Sequence, residues 1–329
     1  MSPDYYSFKP SFFFQSGFAQ TIIGSQFSGL TRLPKRKVHK VNIGKQSILI
    51  LLELPSENPD APRVLLAHGM GGCSEADYMK RVARKLWVRG LNVFMMNQRG
   101  CGLGMGLSVR LWNGGVSDDL GKVIKYISTL YPKRSINVIG FSLSGNVLLK
   151  YLGEKRPHPL KISKALAVSP PIDLKLSSHI LSRSKMGIIF NRHYMKQIHR
   201  QGEALAECFP DAFIPSGKEK TIYEFDEVYT ATAAGYRDAD DYYSKCSAKG
   251  YLGDITVPTT ILCSEDDPFV PTEIFKSIPM SSSIELYTTE NGGHMGYIHN
   301  KPTPWGDYRW MDFVIVDWAE SESKARNGI

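Results

Sequence analysis

From Arg63 onward two apolar patterns alternate along the chain. Short unbroken runs at residues 63–68 (RVLLAH), 91–97 (LNVFMMN), 135–142 (SINVIGFS) and 164–170 (KALAVSP) read as buried strands. Between them, residues 76–90, 116–131 and 146–154 carry apolar side chains at helical spacing, and Gly90 closes the first of these helices. Upstream, KVHKVNI (37–43) and SILILLEL (47–54) read as two strands around a turn. The rhythm breaks after Pro171 and returns at TTILCS (259–264), followed by a helix at 271–278, a strand at 283–290 and a closing helix at 307–322. A structureless loop as long as the interval between is improbable in a compact fold. Helical patches inside it predict an inserted helical cap over 172–248. Residues 1–36 are rich in aromatics, Pro and Gly and read as an irregular extension packed on the body. The whole predicts one α/β domain over 1–329, with a mostly parallel sheet covered by helices on both faces.

In such a sheet, function gathers at the carboxyl ends of the strands. HGMGG (68–72) follows the first parallel strand, and Ser142 in GFSLSG follows the third. Asp266 and Asp267 follow TTILCS, and His294 in NGGHMG follows the last strand. A serine, an acid and a histidine after three different strands, in that order, match the chain order of α/β-hydrolases. The chemistry needs these types. A serine hydroxyl attacks only when a base takes its proton, imidazole does this near neutral pH, and a carboxylate holds the imidazole in the right tautomer. Asp267 is the expected acid, because it opens D-P-F-V-P; Asp266 is expected to bond backbone or solvent. The expected oxyanion donors are the N–H groups of Leu143, next after the serine, and Met70, in the glycine-rich loop. The elbow departs from G-x-S-x-G: Ser144 holds the fifth position and the glycine arrives late, at Gly145. Ser144 is thereby an internal rival as nucleophile, though without the flanking glycines a strained elbow wants.

Composition narrows the alternatives. Apolar residues are 42% and charged residues 22%, ordinary for a globular protein. The formal charge of +8 comes without any nucleic-acid-binding signature, so no nucleic-acid partner is expected. No apolar run is long enough to span a bilayer, and the N-terminus does not read as a signal peptide. Five cysteines without a C-x-x-C pair fit a reducing, cytoplasmic setting. His193 and His199 lie outside the i, i+4 spacing of a helical metal pair, so neither metal nor cofactor is expected. Between Lys175 and Gly202 there is no Asp or Glu. This basic stretch is expected to face water, with weak contact to an anionic membrane as the sharper alternative.

The motifs GFAQTI (17–22), HGMGG, NQRGCG (97–102), GVSDDL, GFSLSGN, the segment 224–248, EDDPFVP and NGGHMG together resemble the YheT-like branch of the α/β-hydrolase superfamily. That branch is related to the animal α/β-hydrolase-domain lipases and esterases. The resemblance implies a carboxylic-ester hydrolase with Ser142, Asp267 and His294 as its triad, a cap over the site, and no cofactor. An apolar acyl ester is the expected substrate, cleaved through an acyl-enzyme. A thioesterase using the same triad and a non-catalytic protein that kept the pocket are the alternatives.

Overall fold

The computed structural model describes residues 7–26, 31–132, 134–158 and 161–321. In chain order the elements are α1 (Gly17–Gln26), β1 (Lys37–Gly44), β2 (Ser47–Leu54), β3 (Arg63–Ala67), α2 (Asp77–Val88), β4 (Asn92–Asn97), α3 (Ser117–Leu130), β5 (Ile136–Phe141), α4 (Leu143–Gly153) and β6 (Ile162–Val168). A helical stretch follows: α5 (Leu174–Arg183), α6 (Gly187–Cys208), α7 (Ile222–Phe225), a π-helical turn (Asp226–Thr230), α8 (Ala231–Ala234) and α9 (Ala239–Cys246). The chain then closes with β7 (Thr259–Ser264), β8 (Ile284–Thr289) and α10 (Trp310–Glu320).

The strands form one eight-stranded sheet in the order β1-β2-β4-β3-β5-β6-β7-β8. Strand β2 runs antiparallel to both neighbours, and every pairing from β4 to β8 is parallel. Strands β3, β4 and β5 are buried along their full length, as the unbroken apolar runs require of strands covered on both faces. One apolar cluster joins Val123, Ile127, Leu148 and Tyr151 to one face of the sheet, and another joins Met79, Leu86, Phe313 and Ile315 to the other.

Three expectations change. Residues 17–26 are a helix, where an irregular extension was expected; the helix is held because its glycines let it lie directly on the loops after β7 and β8. The helix expected at 271–278 is a short 3-10 turn, Thr272–Ser277. The last helix ends at Glu320, and residue 322 lies outside the described residues.

Helices α2 and α10 are clamped by a buried ion cluster. The Asp312 carboxylate accepts from Arg81 Nε at 2.9 Å and Lys85 Nζ at 3.1 Å and is fully buried. Burial alone would raise its pKa, but the two cations and their hydrogen bonds outweigh it and hold the carboxyl below the usual range. A carboxyl whose folded pKa is depressed stabilises the fold above its unfolded value of about 4, and this contribution is lost as pH falls through the folded value. Asp312→Ala, which takes the shared carboxylate from both cations while Lys85 keeps Asp307 at 2.6 Å, is expected to cost about 3 kcal/mol at pH 7. Urea unfolding of both proteins should show that gap narrowing as the pH drops below about 4; a gap constant with pH would mean that packing, not charge, is lost.

Candidate active site

Ser142 sits between β5 and α4 with φ 50° and ψ −122°, a conformation that a non-glycine residue adopts only under strain. The surroundings enforce it. A Cβ at Gly140 would lie 2.5 Å from the Ser144 carbonyl oxygen, and one at Gly69 would lie 2.9 Å from Ser142 Cβ. At Gly145 a Cβ would meet Pro170 at 3.0 Å, so this late glycine also serves close packing.

Ser144 has a different occupation. Its hydroxyl donates to the His68 carbonyl and accepts from Gln98 Nε2 at 3.0 Å, in a fully buried position. His68 is held from its other side, with Nδ1 donating to the Gly69 carbonyl at 2.8 Å and Nε2 accepting from the Gln98 N–H at 3.1 Å. Burial lowers the His68 pKa to about 4, so the ring is neutral, as this pairing requires. Ser144 thus ties α4 to the HGMGG loop, filling a place that a glycine would leave empty. Ser144→Ala is expected to loosen that loop and lower kcat about tenfold, with KM little changed, since losing a whole oxyanion donor typically costs roughly a hundred- to thousand-fold. Steady-state kinetics on an acyl ester would check this. A lowered Tm with unchanged kcat would reduce Ser144 to a packing residue.

The three residues expected to act together lie in one hydrogen-bonded line. His294 Nε2 is 2.8 Å from Ser142 Oγ, and His294 Nδ1 is 2.7 Å from Asp267 Oδ2. The other carboxylate oxygen of Asp267 accepts from the Phe269 and Val270 N–H groups, each at 3.0 Å. All three side chains are nearly buried. Asp266 faces elsewhere: its Oδ1 accepts from the Gly293 N–H at 2.8 Å, which anchors the histidine loop. Met70 and Leu143 line the same cavity as Ser142, and neither backbone N–H donates to another described residue. For Leu143 this follows from its place at the start of α4, where helix N–H groups have no partner within the helix.

Thr21 is a site residue that the sequence reading missed. Its hydroxyl donates to the Gly17 carbonyl at 2.7 Å and accepts from the His294 N–H at 2.8 Å. Helix α1 approaches the histidine loop so closely that a Cβ at Gly293 would lie 2.1 Å from the Gly17 carbonyl oxygen. A Cβ at Gly296 would lie 2.2 Å from that of Gln20. The only sequence signal was GFAQTI, and nothing in its local pattern names His294 as the neighbour. The Phe269 ring lies against the imidazole, with centroids 4.1 Å apart.

The cavity holding Ser142 has about 790 Å³ of non-atom space, open solvent at its mouth included. Met70, Leu143, Leu174, Leu181, Ile198 and Phe269 give it apolar walls, several of them from the helical stretch between β6 and β7. Among the described residues no three His, Cys, Asp or Glu side chains gather as metal ligands would, and no helix is long and apolar enough to cross a membrane.

A serine on a strained strand-to-helix turn, facing a histidine and an acid from later strand ends of a mostly parallel sheet, defines an α/β hydrolase. Comparisons with known proteins agree. The family profile described as alpha/beta hydrolase fold matches residues 62–207. The solved structure of the Pyrococcus furiosus esterase Pf2001 shares the fold, with a TM-score of 0.59 at 17% identity, covering 90% of this chain and 96% of that one. The chain has the α/β-hydrolase fold and is similar to the putative esterase YheT of Escherichia coli. It is 27% identical to YheT over 84% of this chain and 81% of YheT. It is also 28% identical to a monoacylglycerol lipase of Saccharomyces cerevisiae over 75% of this chain, but spans only 58% of that lipase.

Proposed function

We propose that the protein is a carboxylic-ester hydrolase acting on apolar acyl esters, with Ser142, His294 and Asp267 as its catalytic residues. The observation that carries this reading is the unbroken line from Asp267 through His294 to Ser142, opening on an apolar cavity. The names of its relatives, a putative esterase and a monoacylglycerol lipase, support it.

Ser142 Oγ attacks the ester carbonyl carbon while its proton passes to His294 Nε2. Asp267 fixes the Nδ1–H tautomer and stabilises the imidazolium. The oxyanion is received by the N–H groups of Met70 and Leu143. Collapse expels the alcohol, which takes the proton from Nε2 and leaves an acyl-Ser142. Water, deprotonated by the same nitrogen, then attacks the acyl carbon and returns the serine.

The helical stretch serves as a cap. Lys185, Arg192, Lys196 and Arg200 are exposed on it, while Leu181 and Phe190 turn inward, which supports a solvated outer face over a membrane contact. The five cysteines are free, which supports a reducing setting such as the cytoplasm. A fluorophosphonate probe tests the central reading: an adduct on Ser142 is expected, and no adduct on any serine of the folded protein would favour a non-catalytic binding protein.

A further inference from the structure

One wall of the Ser142 cavity is polar, and the mechanism does not use it. Asp226 lines the cavity and is the only charged side chain among the described residues that do. It opens the π-helical turn Asp226–Thr230, a geometry found mostly as single turns, often at functional sites. Its Oδ2 accepts from the Tyr243 hydroxyl at 2.8 Å, and that hydroxyl in turn accepts from Ser178 at 2.9 Å. Thr230, at the other end of the turn, also favours the ionised carboxyl. Ser178, Thr230 and Tyr243 line the same cavity, and so does Ser177. No cation offsets Asp226 among the described residues, and burial pushes its pKa up to about 6. A carboxylate has about four lone-pair positions. One hydroxyl donor, that of Tyr243, leaves acceptor capacity unused, on a group that only hydrogen bonding makes tolerable in an apolar cavity.

We propose that Asp226, Thr230, Tyr243, Ser177 and Ser178 form a subsite for a hydroxyl group carried by the substrate. This rests on the ester-hydrolase reading of the same cavity. A ligand hydroxyl donates to Asp226 and accepts from Ser177, whose proton no described residue takes, using both of its capacities. An apolar chain can do neither and leaves the carboxylate unpaired. An ammonium group would donate but find no use for the Ser177 donor.

The test uses three eight-carbon probes below their micelle concentrations, with binding measured by calorimetry: 1-O-octylglycerol, which has an uncleavable ether, methyl octyl ether, and octyltrimethylammonium. Wild type is expected to prefer the diol over the methyl ether by about tenfold or more, as expected for hydrogen bonds to a charged group. Asp226→Asn and, independently, Ser177→Ala are expected to bring that preference below about threefold, because the charge or a donor is lost. Equal binding of diol and methyl ether, tighter binding of the ammonium probe, or variants with lowered Tm but an intact preference would each overturn the subsite. Hydrolysis of monooctanoylglycerol and methyl octanoate is followed in parallel. Diol preference without cleavage of either ester would sink the hydrolase reading and leave the subsite standing. Cleavage of both esters at equal kcat/KM without a binding preference would do the reverse.

Discussion

Ser142→Ala is expected to lower kcat on an acyl ester by about 10⁵- to 10⁶-fold, the scale of losing a nucleophile whose partners act with it as a unit. The fluorophosphonate adduct should vanish as well. The fold should persist, because alanine keeps the backbone of the turn and removes only the Oγ that faces His294 Nε2. Ser144 is no substitute nucleophile. Its proton is committed to the His68 carbonyl, it is about 1% exposed, and it does not line the cavity. Residual turnover of about a thousandfold over water is expected from the oxyanion donors and substrate positioning. A mutant that keeps wild-type kcat, or an adduct that moves to Ser144, would overturn the assignment.

Asp267→Asn is expected to cost about 10⁴-fold in kcat with the fold intact. The reason lies in what holds the carboxylate. The Phe269 and Val270 N–H groups both donate to Oδ1, so an asparagine must keep its carbonyl oxygen there. Its NH₂ group then points at His294 Nδ1, from which the carboxylate had accepted a hydrogen bond. The imidazole is driven to the opposite tautomer, with the proton on Nε2, and can no longer take one from Ser142. Asp266→Asn serves as the control. An asparagine oxygen can still accept from the Gly293 N–H, so kcat is expected to stay within about threefold of wild type, as for loss of charge in one local hydrogen bond. If Asp266→Asn were the more damaging variant, the two acids would have to exchange roles. Measuring kcat for both beside the Tm separates misfolding from the wrong tautomer.

The legibility of this protein follows the range of the forces involved. The sequence by itself determined the strand and helix alternation, because burial on both sheet faces forces apolar runs such as those of β3, β4 and β5, while one-sided burial forces helical spacing. It also determined the order of serine, acid and histidine, since each follows the end of its own strand. Asp267 was chosen over Asp266 because it opens D-P-F-V-P, the pattern that usually carries the acid in this fold. Contacts between distant segments were decided only by the tertiary structure. Helix α1 looked irregular because its stability comes from lying glycine to glycine on the histidine loop, and Thr21 meets His294 across 273 residues of chain. Ser144 looked like a flaw in the elbow until His68 and Gln98 were found around it. The pairing of Asp226 with Tyr243 and Ser178 brings three helical turns together on one cavity wall, and no local period records it. Side chains that meet only after the chain has closed leave little mark on the spacing of their neighbours. Tertiary packing placed the groups that hold His294, steady the HGMGG loop and give the cavity its polar wall.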